Sequence, residues 1–495
     1  MKHIHSISVF CLLTVLAVAS CSPRPHDARQ SSQLPPIFPD YVDVTVPVDV
    51  APLHFSLPDS VADYICAEAR GKGAVAMEAA GRWADFDDEQ WHRLLAANKG
   101  GDITMSVTAR RPDGQWVRYR DFVIHVAADS LGAWGLTYRR IAPGYESFGT
   151  MGLYQREFSS CNEYAIIENT AVPSSCVNCH AARGGDPSAF TFHVRGAHGA
   201  TLVQIDGNRE WLSTKTDSTL ASCVYPSWHP SGRYIAYSTN LTHQAFHEVA
   251  PSVLEVFDTG SNVQIYDTQT HALIVPPQLA TDEWMETYPA FSADGHTLYF
   301  CTARRQPVPD GLTEVRYNLC SVAFDASTGT VGAQVDTLFD AESRGLSAVH
   351  PRPSPDGHWL LFTTADYGCF PIWHDESEQW LLDLHSGEAH PLAEANSPLA
   401  DSYHNWSPGG NWMVFTSRRA DGRYSWLYLC RVDADGHATK PFLLPQRDPA
   451  TYYGTALWSF NTPDFTTGRV EFDVGAGARE LVSDERIQVS MSRRH

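Results

Sequence analysis

Cys176-Val177-Asn178-Cys179-His180 is the stretch of this 495-residue chain whose residue types and spacing most directly spell out a reaction. Two thiols separated by two residues can each form a thioether to one vinyl group of the same porphyrin, and the adjacent imidazole can reach the iron. The pattern therefore predicts one covalent haem c, attached through Cys176 and Cys179 with His180 as proximal ligand. Two other chemistries use Cys-x-x-Cys: a dithiol redox pair and half of a zinc site. No second pair at zinc-like spacing follows, and no strand–CxxC–helix pattern surrounds the motif. The sixth iron position decides between electron transfer and small-molecule chemistry. His193 is the candidate distal ligand, because Phe190, Phe192 and Val194 would give a haem edge an apolar shell. His198 and Met151 are further candidates.

The amino terminus sets the compartment. Lys2 precedes a short apolar run, Ile7 to Ala19, too brief for a membrane span. It ends in Val18-Ala19-Ser20-Cys21, which resembles the lipobox of bacterial lipoproteins. The resemblance implies a signal peptide over 1–20, with Cys21 acylated and anchored to a bacterial membrane, the outer membrane foremost, on its periplasmic or surface face. Haem c is attached on that exported side, so compartment and motif agree. The net charge of -21 argues against nucleic acid, which requires a clustered basic face. The remaining cysteines form no framework and read as mostly buried free thiols.

Four elements must position the motif. Residues 21–40, rich in Pro, Ser and Gln, read as a flexible tether. Residues 41–141 alternate apolar and polar positions and carry one helical pattern from Asp87, predicting a sandwich-like N-terminal β domain. Residues 142–200, rich in Gly, Ser and small polar residues, hold too little regular pattern for a helical cytochrome domain and read as a haem segment sheltered by its neighbours. From 201 to 480 the chain repeats an aromatic or Pro, a Ser-Pro/Ala-Asp-Gly type turn and a short strand. The turn glycines Gly232, Gly295, Gly357 and Gly410 lie about 53 to 63 residues apart. A degenerate copy begins at Trp458, and 481–495 reads as a tail. Short strands in repeats that cannot each bury their own face indicate an all-β propeller.

These turns resemble those of TolB-type β-propellers, which implies five or six blades. Joined to a lipoprotein signal and one CxxCH, they resemble a group of exported propeller proteins with a c-type haem motif. More distantly, the arrangement is similar to the α subunit of hydrazine synthase and to cytochrome cd1 nitrite reductases. Blade symmetry would gather Arg304, Arg305, Arg418 and Arg419 at one mouth of the channel as an anion site, with Trp373, His374, Asp375, Glu376 and His404 nearby. The expected function is electron transfer through the haem, with the propeller docking a redox partner protein. The alternatives are a haem enzyme acting on a small molecule at an open iron site, and a non-redox binding or scaffold protein.

Overall fold

The computed structural model describes residues 23–73, 76–142, 149–246, 254–455 and 457–492. Cys21 and the signal segment lie outside the described residues. The molecule is mostly strand, and six of its sheets have four or five strands each.

The first sheet comprises Ser459–Thr466, Gly135–Ile141, Gly152–Glu157 and Glu163–Glu168, in that order. The second runs Cys176–Arg183, Asp186–Arg195, Ala200–Ile205 and Asn208–Ser213; the third Cys223–Trp228, Tyr234–Phe246, Leu254–Asp267 and Ala272–Ile274. The fourth spans Trp284–Phe291 to Thr330–Phe339, the fifth Ser347–Pro353 to Ala389–Pro391, and the sixth Asp401–Trp406 to Phe442–Leu443. The first-named strand of each sheet contacts that of the next, and the first sheet's strand contacts those of both the sixth and the second. These six strands are called innermost below.

The turns that announce the repeat work through local hydrogen bonds. Asp294 Oδ1 accepts from Ser292 Oγ at 2.6 Å and from the His296 N–H at 3.0 Å, while Gly295 takes the left-handed conformation (φ 76°) that closes the turn. Ser354, Asp356 and Gly357 repeat the device in the fifth sheet.

Three expected boundaries change. The segment 142–200 is not a separate haem element: with 135–141 it supplies three strands of the first sheet and the beginning of the second. The tail is not loose either, since Ile487–Gln488 and Ser490–Ser492 add parallel strands to the second and third sheets. The tether also ends early. Arg29–Gln30 pairs with Trp116–Arg118, Ile37 is buried, and Phe38 bridges to Ser56.

The N-terminal region is a mixed seven-stranded sheet with a two-stranded sheet, Phe55–Ser56 and Trp83–Ala84, beside it, rather than two comparable layers. Gly101–Arg110 pairs along one edge with Tyr64–Arg70, and its other edge is shared by Phe122–Val126 and Trp116–Arg118. Helix Asp88–Ala97 is capped by Asp87, whose carboxylate accepts from the Gln90 N–H at 2.9 Å, and buries Trp91, Leu94 and Leu95. The apolar core runs continuously from this sheet into the first, fifth and sixth sheets. At that junction Arg431 pairs with Asp129 at 2.9 Å, and Trp412 Nε1 donates to the same carboxylate.

Candidate functional site

Every innermost strand breaks its ladder at the same place. Register shifts leave Cys179-His180, Tyr225-Pro226, Tyr288-Pro289, His350-Pro351, Tyr403-His404 and Thr462-Pro463 outside the pairing. The first residue of each pair has positive φ, from 46° to 58°: Cys179, Tyr225, Tyr288, His350, Tyr403 and Thr462. A non-glycine residue pays conformational energy for that backbone, so six repetitions mark a built feature. Tyr225 meets Tyr288 at 4.7 Å between ring centroids, Tyr288 meets His350 at 4.2 Å, and His350 meets Tyr403 at 4.9 Å. The second half of the haem motif is thus the second sheet's copy of this bulge.

On one side of the bulges, the thiol end, Arg139 reaches across from the first sheet. Its Nη2 donates to Cys176 Sγ at 3.2 Å and its Nε to the Val177 carbonyl at 3.1 Å. Arg195 lies directly opposite Cys176 in the ladder. Burial works against the Arg195 cation, and the Cys179, Tyr225, Cys176 and Asp258 groups around it more than offset that. Burial raises the Cys179 thiol, with Arg195 pulling the other way. Buried Asp258 accepts from Asn240 Nδ2 at 2.7 Å and Thr242 Oγ1 at 2.6 Å and lies 3.5 Å from Cys369 Sγ. Burial raises its carboxyl above the usual range.

Cys176 and Cys179 are free thiols beside two guanidinium groups, and thiols two residues apart are the donor set that covalent haem attachment uses. His180 fits less well. Its Nε2 lies 3.1 Å from Thr137 Oγ1, its ring packs against Phe190 at 5.8 Å, and its Nδ1 is buried without a partner. Its Nδ1 is shielded, and burial holds the imidazole neutral, its pKa lowered to about 4. As packed, this ring does not offer a nitrogen to a porphyrin.

His193 is not brought to it. Phe190 and Phe192 share the face of the second sheet that receives His180. His193 alternates to the other face, where its Nδ1 meets Thr201 Oγ1 at 3.0 Å and neighbouring Thr191 meets Tyr237. The expected distal role is therefore corrected by the period of the strand. His198 pairs with Asp484 at 2.8 Å, and Met151 Sδ lies 3.9 Å from Arg139 Nη2.

The four-arginine anion site is likewise not assembled. Arg304 pairs with Glu283 at 2.9 Å in an exposed position, and Arg305 donates to the Trp284 and Thr259 carbonyls. Arg419 pairs with buried Asp401 at 2.8 Å. Arg418 alone of the four is buried, over the ring of Trp373 at 4.5 Å. Local acceptors claimed these side chains before a shared ligand could. His374 joins Glu376 at 3.0 Å and faces Glu255 at 3.7 Å, whereas His404 links two innermost strands through the His350 carbonyl at 2.7 Å. Sequence reading missed the roles of Arg139, Arg195, Asp258 and Cys369, which come from different sheets and their loops and meet only through the packing of those sheets.

Beyond the bulges, toward the turns, lies a cavity of about 450 Å³ lined by Arg352, His350, Asp464, Asn405, Trp228 and Trp406 among others. Asp464 Oδ2 accepts from the Ala182 N–H at 2.9 Å and Oδ1 from Asn405 Nδ2 at 2.8 Å. Burial pushes its carboxyl up to about 6. Burial also lowers Arg352, with Asp464 opposing. Both ring nitrogens of buried His350 lack hydrogen-bond partners, and burial keeps that ring neutral.

No family model and no curated protein matches the chain. Among solved structures, it is similar to prolyl oligopeptidase B from Galerina marginata bound to a 25mer macrocyclization substrate, at 13% identity over 60% of this chain and 41% of that one (TM-score 0.36). An oligogalacturonate lyase in complex with manganese is 16% identical over 62% of this chain and 84% of that one (TM-score 0.32). A puromycin-hydrolyzing peptidase of Mycobacterium tuberculosis is 13% identical over 82% of this chain and 57% of that one (TM-score 0.34). At these values the likenesses carry no activity over to this chain.

Proposed function

We propose that the chain is an exported, lipid-anchored c-type haem protein that transfers electrons, built on a six-bladed TolB-like propeller that docks its redox partner. The observation that carries this reading is the pair of free thiols, Cys176 and Cys179, on an innermost strand beside Arg139 and Arg195. The succession of six innermost strands supports the propeller, with Ser459–Thr466 from the far end of the chain completing the first sheet. When bound, the haem would supply one-electron chemistry. Cys176 and Cys179 would hold it, with Arg139 and Arg195 beside the attachment edge, and the tyrosines of the bulges would wall one side.

A second reading is favoured by the register. Cys179-His180 stands where the other sheets carry Tyr-Pro, His-Pro, Tyr-His or Thr-Pro, so the motif coincides with a structural position. On that reading the protein is a non-redox propeller binding module.

One experiment separates them. Full-length protein matured with the c-type attachment machinery is denatured, and its absorption spectrum and intact mass are recorded. Haem retained after denaturation, and lost in Cys176→Ser/Cys179→Ser, is the expected result. A haem-free mass in the wild type would overturn the haem reading and leave the binding module. Carbon monoxide binding to the reduced protein then distinguishes chemistry at iron from outer-sphere transfer.

A further inference from the structure

The turn-end cavity has a cation that the fold does not neutralise by direct contact. Arg352 lies on the innermost strand of the fifth sheet and lines the cavity; its recorded side-chain hydrogen bond goes to the adjacent Pro351 carbonyl at 3.0 Å. Among the described residues, Asp464 is the carboxylate that acts on it, yet the two form no ion pair. Both Asp464 oxygens are tied to other donors, Ala182 N and Asn405 Nδ2. That carboxylate therefore offsets the field without capping the guanidinium.

A second, independent observation points to the same space. His350 is 4% exposed, lines the cavity, and has neither ring nitrogen satisfied. Its ring is packed between Tyr288 and Tyr403, at 4.2 and 4.9 Å, so it gives the cavity a neutral wall that does not compete for the guanidinium. Trp228, Trp406 and Phe291 supply apolar wall, and the indole N–H groups of Trp228 and Trp406 are already spent on backbone carbonyls. The volume of about 450 Å³ suits a small molecule.

We propose that this cavity binds a small carboxylate-bearing molecule, its carboxylate on Arg352 and its apolar body against the tryptophans and the neutral His350 ring. A planar guanidinium pairs with a carboxylate through two parallel hydrogen bonds, which an isosteric amide cannot reproduce. Cys179 and His180 reach the bulge end of this cavity, whereas the Cys176 thiol lies on the other side of the bulges; a carboxylate site at Arg352 goes beyond the haem reading.

The test titrates full-length mature protein calorimetrically with phenylacetate and with its neutral isostere phenylacetamide. Saturable phenylacetate binding at least about tenfold tighter than the amide is expected, with Arg352→Gln removing the difference and Arg352→Lys keeping part of it. Absence of saturable phenylacetate binding, equal binding of acid and amide, or an unchanged preference in folded Arg352→Gln would overturn the proposal. Should Arg352→Gln not fold, the wild-type acid-to-amide ratio decides alone. The same ratio in protein made without the c-type attachment machinery keeps this result distinct from the fate of the haem.

Discussion

Asp464 shows how one residue couples the turn-end cavity to pH. Its carboxyl is raised from 3.8 to about 6 by burial, with the Ala182 N–H and Arg352 opposing. Between those two values the folded protein holds a proton that the unfolded chain has released. The stabilisation is fully present below pH 3.8 and is lost as pH rises through 6. The whole span corresponds to at most about 3 kcal/mol, less where the cavity admits water. Chemical denaturation of wild type and Asp464→Asn at pH 4.5 and 7.5 should show the wild type losing ground relative to the variant as pH rises. A difference independent of pH would remove Asp464 as the source. The residue was invisible in the sequence, because Thr462-Pro463-Asp464 reads as a worn copy of the repeat, and only the pairing with Gly135–Ile141 turns it toward Ala182 and Asn405.

At the scale of elements, the repeat was legible wherever Gly and Asp build the turn. The glycines at 232, 295, 357 and 410 locate the third to sixth sheets, because a left-handed turn residue leaves a mark in composition. The second sheet escaped notice since Cys179-His180 replaces the aromatic-Pro pair and Gly184-Gly185 replaces the Asp-Gly turn. The first showed only its innermost strand, as the worn copy beginning at Trp458, because its other strands lie far upstream at 135–168, a pairing no local pattern records. Its joint is testable. Phe460 and Tyr138, 322 positions apart by their numbers, meet at 5.3 Å, edge to face, in the core. Phe460→Ala should cost about 3–5 kcal/mol. A double-mutant cycle with Tyr138→Ala should return a coupling of about 0.5–1.5 kcal/mol by urea denaturation. Additive effects would mean that the C-terminal strand does not complete this sheet.

Across the whole molecule, the sheets are locked together by histidines that the fold keeps neutral. His180 bridges the second sheet to the first through Thr137, and His404 ties the sixth to the fifth through the His350 carbonyl and Thr363. His193 is held within the second sheet by Thr201. Burial is the first cause in each case: His180 falls to about 4, His193 and His404 to about 3, and His350 well below its ordinary value. For a histidine depressed in this way, the unfolded chain takes up protons first. Stability is therefore full above pH 6.5 and drains as pH falls toward the folded pKa. Between pH 6.5 and 5 His180, His193 and His404 each contribute a loss of about 2 kcal/mol, and His350 acts in the same direction. Together these groups exceed the opposing gain from Asp464. The unfolding free energy should thus fall steeply between pH 6.5 and 5. His193→Gln, though less stable at pH 7.5, should show a slope shallower by that one histidine's share. A flat profile in the wild type would mean that these rings are hydrated in solution and that the sheets part more readily than their packing implies.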